Sequence, residues 1–241
     1  MPKFPISSLQ ITDGLIRISG ESYKHIVRVL RFKKGEKIEL FDENSVTYQA
    51  VIKLISSKEL IAEIQASSVL STESELNICL FQSILKGNKM DLIVQKCGEL
   101  GVKTITPIYT ERTVVQHTDK LKRWAKVALE SCKQSGRGQP VEIREPRDYN
   151  DVISSLPEKA VNLIFYEKNE NVKLKKSLKT FNKGATDVNL IIGPEGGFSE
   201  KEIKEAELRK VKAVCLGPRI LRAETAAIAS VSIIQFHFGD I

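Results

Sequence analysis

The chain has 241 residues, 41% of them hydrophobic, which is enough to bury one or two ordinary cores and argues against a disordered polypeptide. Its formal net charge of +7 points to an anionic partner, and no apolar run approaches the roughly 20 residues that cross a bilayer. The opening MPKFPISSLQ lacks the apolar core of a signal peptide, so the expectation is a cytoplasmic protein without a membrane partner.

In chain order, the first seventy residues read mostly as short strands: GLIRI, KIELFD, VTYQAVIKLI and LIAEIQ. One helix from about Ser19 to Leu30 interrupts them. This pattern predicts a small barrel-like domain. Within the helix, Lys24, Arg28 and Arg31 fall at i, i+4 and i+7 and share a face, while Ile26, Val29 and Leu30 point to a core. Lys33, Lys34 and Lys37 follow, and Glu36 is the single acid between Lys24 and Lys37. Such a stripe suits RNA phosphates, and it equally suits a solvated helix face. His25 is expected to pack beneath the helix. The polar stretch SSVLSTESEL marks a boundary, giving domains 1–70 and 71–241.

Beyond the boundary the rhythm becomes strand and helix in alternation. NICLFQSI is a strand. NKMDLIVQKCGELG is a helix with Asn88 as N-cap, Gly101 as stop, and Met90, Ile93, Val94, Cys97 and Leu100 on its apolar face. KTITPIY is a strand. KLKRWAKVALESCKQSG is a helix with Leu121, Trp124, Ala125, Ala128 and Cys132 on one side. A second basic set, Lys120, Lys122, Arg123, Lys126, Lys133 and Arg137, runs along this stretch and just past it. AVNLIFY, DVNLIIG and KAVCLG are further apolar strands, and helices follow near Ser199–Lys210 and Glu224–Phe238. Uniformly apolar strands alternating with helices predict an α/β fold with a parallel sheet covered on both faces. The lysines at 173, 175, 176 and 179 read as solvated. Cys79, Cys97, Cys132 and Cys215 form no C-x-x-C pair and read as buried free thiols, and the three histidines lie too far apart to mark a metal site.

Two loops carry the chemistry. In LIIGPEGGFSEKEI, a buried strand ends at Gly193-Pro194-Glu195-Gly196-Gly197. The S-x-x-E capping box of Ser199 and Glu202 then starts a helix, with Phe198 and Ile203 placed as a hydrophobic staple. Glycines at the carboxyl end of such a strand admit a ligand close to the backbone. The pattern is neither G-x-G-x-x-G nor a P-loop, and Glu195 repels phosphate, so a cationic or neutral ligand fits. The same residues also suit a tight structural turn with an exposed glutamate. CLGPRILRAETAAIAS repeats the plan, with Gly217-Pro218 after a strand, Arg219, Arg222 and Glu224 bringing charge, and an alanine-rich helix behind. Charged loop residues of this kind equally serve as surface ion pairs.

Taken in order, HIVRVLRFKKGEKIEL, KGNKMDLIVQKCGELGV, ERTVV, RWAKVALESCKQSGR, IGPEGGFSEKE and LGPRILRAETA resemble the ribosomal RNA small subunit methyltransferase E family of the SPOUT class, which methylates N3 of uridine 1498 in 16S rRNA. The resemblance spans nearly the whole chain. Lys3 stands where the family usually has Arg, Ser131 where it has Ala, and Ala223 where it has Thr. It implies a C-terminal domain with a deep trefoil knot, which the general avoidance of knots would not suggest. It also implies an N-terminal PUA-like domain, a homodimer, and 16S rRNA of the small ribosomal subunit as partner. S-adenosylmethionine would be held by Ile192, Gly193, Pro194, Glu195, Gly196, Gly197, Leu216, Gly217, Pro218, Ile220 and Leu221, with Glu195 toward its sulfonium. Arg222 is the expected cation beside the reacting base, Arg219 the alternative, and Glu224 a residue that orients either one. Lys24, Arg28, Arg31, Lys33, Arg112, Arg123 and Arg137 are the expected RNA contacts. Two other readings compete: an RNA-binding protein without catalysis, and a different nucleotide-dependent enzyme using the Gly-Pro loops.

Overall fold

The computed structural model describes residues 3–42, 46–69, 72–169, 172–181 and 184–241, with the side chain of residue 69 left aside. The boundary expected between residues 70 and 71 lies outside the described residues. The chain divides into two compact units. One comprises residues 1–73 with 132–140, and the other comprises 74–131 with 141–241.

The first unit is a six-stranded sheet in the order β1-β4-β5-β6-β3-β2, built from β1 (Lys3–Pro5), β2 (Ile11–Thr12), β3 (Leu15–Ser19), β4 (Lys37–Phe41), β5 (Val46–Ile55) and β6 (Glu59–Val69). β1 runs parallel to β4 and the other pairs are antiparallel. Asp13 and Gly14 both have positive φ and join β2 to β3 as a two-residue type I′ turn, the geometry that matches strand twist. Alternate residues of the strands point inward, so Ile16, Ile18, Ile38, Leu40, Ile52 and Leu60 form one core with Phe4 and Ile26.

The expected helix of this unit is different in kind. A short α1 (Gly20–Tyr23) passes into a π-helical turn over Lys24–Val29, and the left-handed backbone of Arg31 (φ 59°) lies beyond it. A π turn takes more residues per revolution than an α turn, so the i, i+4, i+7 stripe does not persist. Val29 (66% exposed) and Leu30 (40%) point outward, contrary to expectation, and Ile26 alone of the three is buried. Lys24, Arg28, Arg31 and Lys33 are all exposed. The His25 ring is itself exposed and meets Phe4 edge-on at 5.7 Å.

The second unit is a seven-stranded, wholly parallel sheet. Its strands are β7 (Asn77–Ser83), β8 (Thr104–Tyr109), β9 (Glu142–Ile143), β10 (Arg147–Asp148), β11 (Val161–Phe165), β12 (Asp187–Ile192) and β13 (Lys212–Val214). The order is β10-β8-β7-β12-β11-β13, with β9 also paired to β8. The side-chain period of two divides each strand between two cores. Leu80, Leu163, Leu190 and Ile192 join Met90, Ile93, Val94, Trp124, Leu174, Ala227 and Val231, whereas Phe81, Ile164 and Ile191 join Tyr149, Val152, Phe198, Ile203 and Ala206. Helices α2 (Lys89–Glu99), α3 (Leu121–Ser135), α5 (Leu174–Leu178) and α7 (Ala223–Phe238) therefore cover one face, and α4 (Tyr149–Ser155) and α6 (Glu200–Leu208) the other. Each fully buried aliphatic side chain here stabilises the sheet by about 1.5–3 kcal/mol.

Asn88 precedes α2 without a side-chain cap, and Gly101 ends it at φ 85°. A Cβ at Gly101 would lie 2.6 Å from Gln235 Nε2, which donates to the Leu100 carbonyl at 2.9 Å. The buried Gln235 of α7 thus satisfies the end of α2 and accepts from Ser74 Oγ at 3.1 Å. On α3, Trp124, Ala128 and Cys132 are buried as expected, but Ala125 is exposed. The lysines around α5 are exposed, and Leu174 and Leu178 are buried between them. The four cysteines are free thiols, and burial pushes Cys132 up to about 11 and Cys97 higher still, which leaves both inert at neutral pH. Among the described residues no helix is long and apolar enough to cross a membrane.

Candidate functional site

In a parallel sheet the loops that leave the carboxyl ends of adjacent strands face one another. Here the loops after β11, β12 and β13 do so, and they enclose a cavity of about 650 Å³. All eleven residues expected to hold a cofactor line it, from Ile192 to Gly197 and from Leu216 to Leu221, as do Arg219, Arg222 and Glu224.

The β12 loop is fixed at every turn. The Gly197 amide donates to the Pro194 carbonyl at 2.9 Å, closing a tight turn. Gly197 is left-handed (φ 66°), and a Cβ there would stand 3.0 Å from a carboxylate oxygen of Glu167. A Cβ on Gly193 would press on the Phe198 ring at 3.1 Å, a ring that is 1% exposed within the core. Arg112 Nη1 donates to the Gly196 carbonyl at 2.9 Å. The capping box holds in both directions: Ser199 Oγ accepts from the Glu202 amide, and Glu202 accepts from the Ser199 amide at 2.8 Å. The other oxygen of Glu202 accepts from the Glu111 amide at 2.9 Å, which ties the segment after β8 to the same loop. Phe198 and Ile203 share one core, as the staple requires.

Glu195 pairs with Lys89 Nζ at 2.7 Å and accepts from the Lys86 amide at 3.2 Å. Partial burial pushes its carboxyl up, but the Lys89 hydrogen bond, backbone amides and the Lys89 charge outweigh that and hold it below the usual carboxylate value. Its charge is therefore already answered by a lysine.

The β13 loop is built differently. Gly217 adopts φ 138° with open space around it, and Ile220 is 84% exposed. Arg219 is exposed, and Arg222, the exposed N-cap of α7, makes no capping bond. Glu224, the second residue of α7, has its Oε2 buried without a hydrogen-bond partner among the described residues.

The cavity also takes in Lys89, Phe165, Tyr166, Glu167 and Lys168, which sequence reasoning did not single out. β11 lies between β12 and β13, so its end must enter any site that spans those two. Strand order carries that signal, and no motif does.

The expected RNA contacts are dispersed. Lys24, Arg28, Arg31 and Lys33 lie on the first unit, where Lys24 pairs with Glu21 at 2.8 Å. Arg112 and Arg123 lie on the second; Arg112 holds the β12 loop, and Arg123 Nε donates to Asp91 at 2.9 Å. Arg137 departs from expectation. It is 4% exposed and its guanidinium is paired with Glu73 at 2.6 Å, so it anchors a loop of the first unit and offers no charge to solvent. Among the described residues no group of three His, Cys, Asp or Glu side chains is placed to hold a metal.

Residues 72–235 match the family model of the RNA methyltransferase domain, and residues 18–65 match that of the RNA methyltransferase PUA domain. Ribosomal RNA small subunit methyltransferase E of Aquifex aeolicus is 36% identical over 92% of this chain and 93% of its own length. The protein of that name from Buchnera aphidicola of Schizaphis graminum is 33% identical over 100% and 98%. The crystal structure of ribosomal RNA small subunit methyltransferase E from Neisseria gonorrhoeae, bound to S-adenosyl methionine, superposes with a TM-score of 0.90 at 32% identity, covering 100% of this chain and 99% of that one. Both domains, the parallel sheet with its loops and the full-length likeness agree: the chain belongs to the ribosomal RNA small subunit methyltransferase E family.

Proposed function

We propose that this protein transfers a methyl group from S-adenosylmethionine to N3 of a specific uridine in 16S rRNA of the small ribosomal subunit. The observation that carries the reading is the cavity between the glycine loops of β12 and β13, in a chain that aligns end to end with relatives of that name. The cavity suits the cofactor on its own terms. Its glycines leave the backbone open, as at Gly217, where nothing lies within 4 Å of an added Cβ. Gly193–Gly197, Leu216–Pro218, Ile220 and Leu221 would hold it, and Glu167 adds an acid to that wall.

When bound, S-adenosylmethionine supplies an electrophilic methyl group. The protein supplies the rest. N3 of uracil attacks only as its proton leaves, and negative charge then spreads to the neighbouring carbonyl oxygens. A fixed cation aimed at one of them stabilises that state. Arg222, exposed at the lip of the cavity, is assigned this role and Arg219 is the alternative. The first unit would capture RNA through Lys24, Arg28, Arg31 and Lys33. The double variant Arg28→Ala, Arg31→Ala should flatten the slope of log affinity against log salt by about 0.7 per lost phosphate contact.

The same reading carries a homodimer, supported by Phe236 (74% exposed) and Ile233 on α7 and checked by light scattering at micromolar concentration. It also carries the family's trefoil knot, and a cytoplasmic location beside the ribosome. Mass-spectrometric mapping of uridine methylation in rRNA from cells lacking the protein tests the whole. Loss of one N3-methyluridine from 16S rRNA is expected, and an unchanged map refutes the reading.

A further inference from the structure

We infer that the Glu224 carboxylate is the base that takes the N3 proton of the target uracil. The inference rests on the methyltransferase reading above and names the group that reading leaves open.

Methylating N3 releases a proton, so the site needs an acceptor beside the reacting nitrogen. Histidine, the usual choice, is absent from the cavity wall. Its charged groups are Lys89 from α2, Glu167 and Lys168 from the loop after β11, Glu195 from the loop after β12, and Arg219, Arg222 and Glu224 from the segment after β13. Four are cations and have no lone pair to offer. Glu195 is held by Lys89 at 2.7 Å and by the Lys86 amide. Glu167 is exposed to solvent and lies against Gly197, on the opposite loop from Arg222. Glu224 remains. One of its oxygens is shielded from water with no donor in reach, and neither oxygen has an ion-pair partner among the described residues.

A carboxylate oxygen left in that state costs about 1–3 kcal/mol relative to a satisfied one. Water cannot touch that oxygen where it lies, so the half-buried Glu224 side chain must turn toward the cavity for a ligand to supply the donor. The uracil N3–H is a donor that has to be present and then has to give up its proton. Glu224 also stands two residues from Arg222, so one segment at the start of α7 brings the base and the cation for the developing anion together.

The step balances. The N3–H bond breaks and its proton bonds to a Glu224 oxygen. The N3 electron pair forms the N–C bond to the methyl group, and the C–S bond breaks with its pair left on sulfur. A sulfonium and a carboxylate become a thioether and a carboxylic acid, which returns its proton to solvent after the methylated RNA leaves.

The test uses the full-length protein with a 16S rRNA or small-subunit substrate. Glu224→Gln keeps the shape of the side chain and removes the base. It should lower kcat about 100-fold or more, the scale of a lost general base, with S-adenosylmethionine affinity by calorimetry within about twofold of wild type, as expected for a group that acts on the base and not in uniform binding. The deficit should shrink as pH rises, because solvent then removes the proton. It should also shrink on RNA carrying 5-fluorouridine at the target, whose N3–H is more acidic. An unchanged kcat overturns the inference. So does a weakened cofactor affinity with kcat kept at saturation, which would make Glu224 a cofactor ligand, and so does an equal deficit on uridine and 5-fluorouridine. Glu224→Asp is read by the same substrate comparison, so the inference stays testable if the Gln variant does not fold. Wild-type protein that leaves uracil N3 unmethylated overturns the methyltransferase reading itself, and this inference with it.

Discussion

The two glycine-proline loops look alike in sequence and are held in opposite ways. The loop after β12 is bound on all sides: by its own Pro194–Gly197 turn, by Arg112 on Gly196, by Lys89 on Glu195 and by the Ser199–Glu202 box. The loop after β13 exposes Arg219, Ile220 and Arg222, and among the described residues no ion pair or capping bond engages Arg222. A loop fixed before any ligand arrives loses little ordering entropy on binding, as suits a cofactor seat. A loop with free cations is completed by what it binds, as suits contact with RNA. The difference implies that damage to the first loop should fall on cofactor affinity, and loss of the free arginines of the second on the chemical step.

The largest effect is expected at Gly197. A β-branched residue cannot hold φ 66° without strain, and its Cβ would press on the Glu167 carboxylate at 3.0 Å. Gly197→Val should abolish measurable S-adenosylmethionine binding by calorimetry while thermal unfolding remains cooperative. Retained affinity would mean the β12 loop is not the seat.

Next comes Arg222→Ala. Removing one preorganised donor from a developing oxyanion costs about 100-fold or more in kcat, and cofactor affinity should be nearly unchanged. Loss of cofactor binding with kcat kept at saturation would erase the contrast between the loops.

The smallest effect is at Glu195. Its pair with Lys89 is about one-third exposed on both sides, so solvent screening limits it to about 1 kcal/mol or less. The folded carboxyl lies below its ordinary 4.5, so the contribution is fully present above 4.5 and is lost as pH falls through the lower folded value. Glu195→Gln should therefore be slightly less stable than wild type in denaturant titrations at neutral pH, and the gap should close in acid. A gap that widens in acid would reverse the assigned sign.

How much of this was legible beforehand depends on how local each cause is. The strands β7, β8, β11, β12 and β13 were readable because most of their positions are apolar and buried, as Val188 and Leu190–Ile192 are in DVNLII, whereas the two-residue β9 and β10, which are polar or half-exposed, were not. The capping box and staple before α6 were readable because their partners lie within five residues. α4 and α5 escaped notice, since five to seven residues show no helical period. The π turn over Lys24–Val29 is invisible to any pattern that assumes 3.6 residues per turn. Arg137 was misread because its partner, Glu73, stands 64 residues away, and a count of basic residues cannot distinguish a buried pair from an exposed charge. Within the site, glycines announced two of the three loops. Glu167 announced nothing, because only the order β12-β11-β13 brings it there.

The pairing of Glu73 with Arg137 has a consequence for how the chain comes into being. Glu73 also accepts from the amides of Gly138 and Gln139, and residues 132–140 belong with the first unit although the second unit flanks them in sequence. During synthesis the first seventy-three residues emerge with a carboxylate whose partners have yet to be translated. The N-terminal unit cannot complete its contacts until the ribosome has passed residue 140, well into the sequence of the other unit. A separately expressed N-terminal fragment would lack this latch, and the first unit is finished only after much of the second has been made.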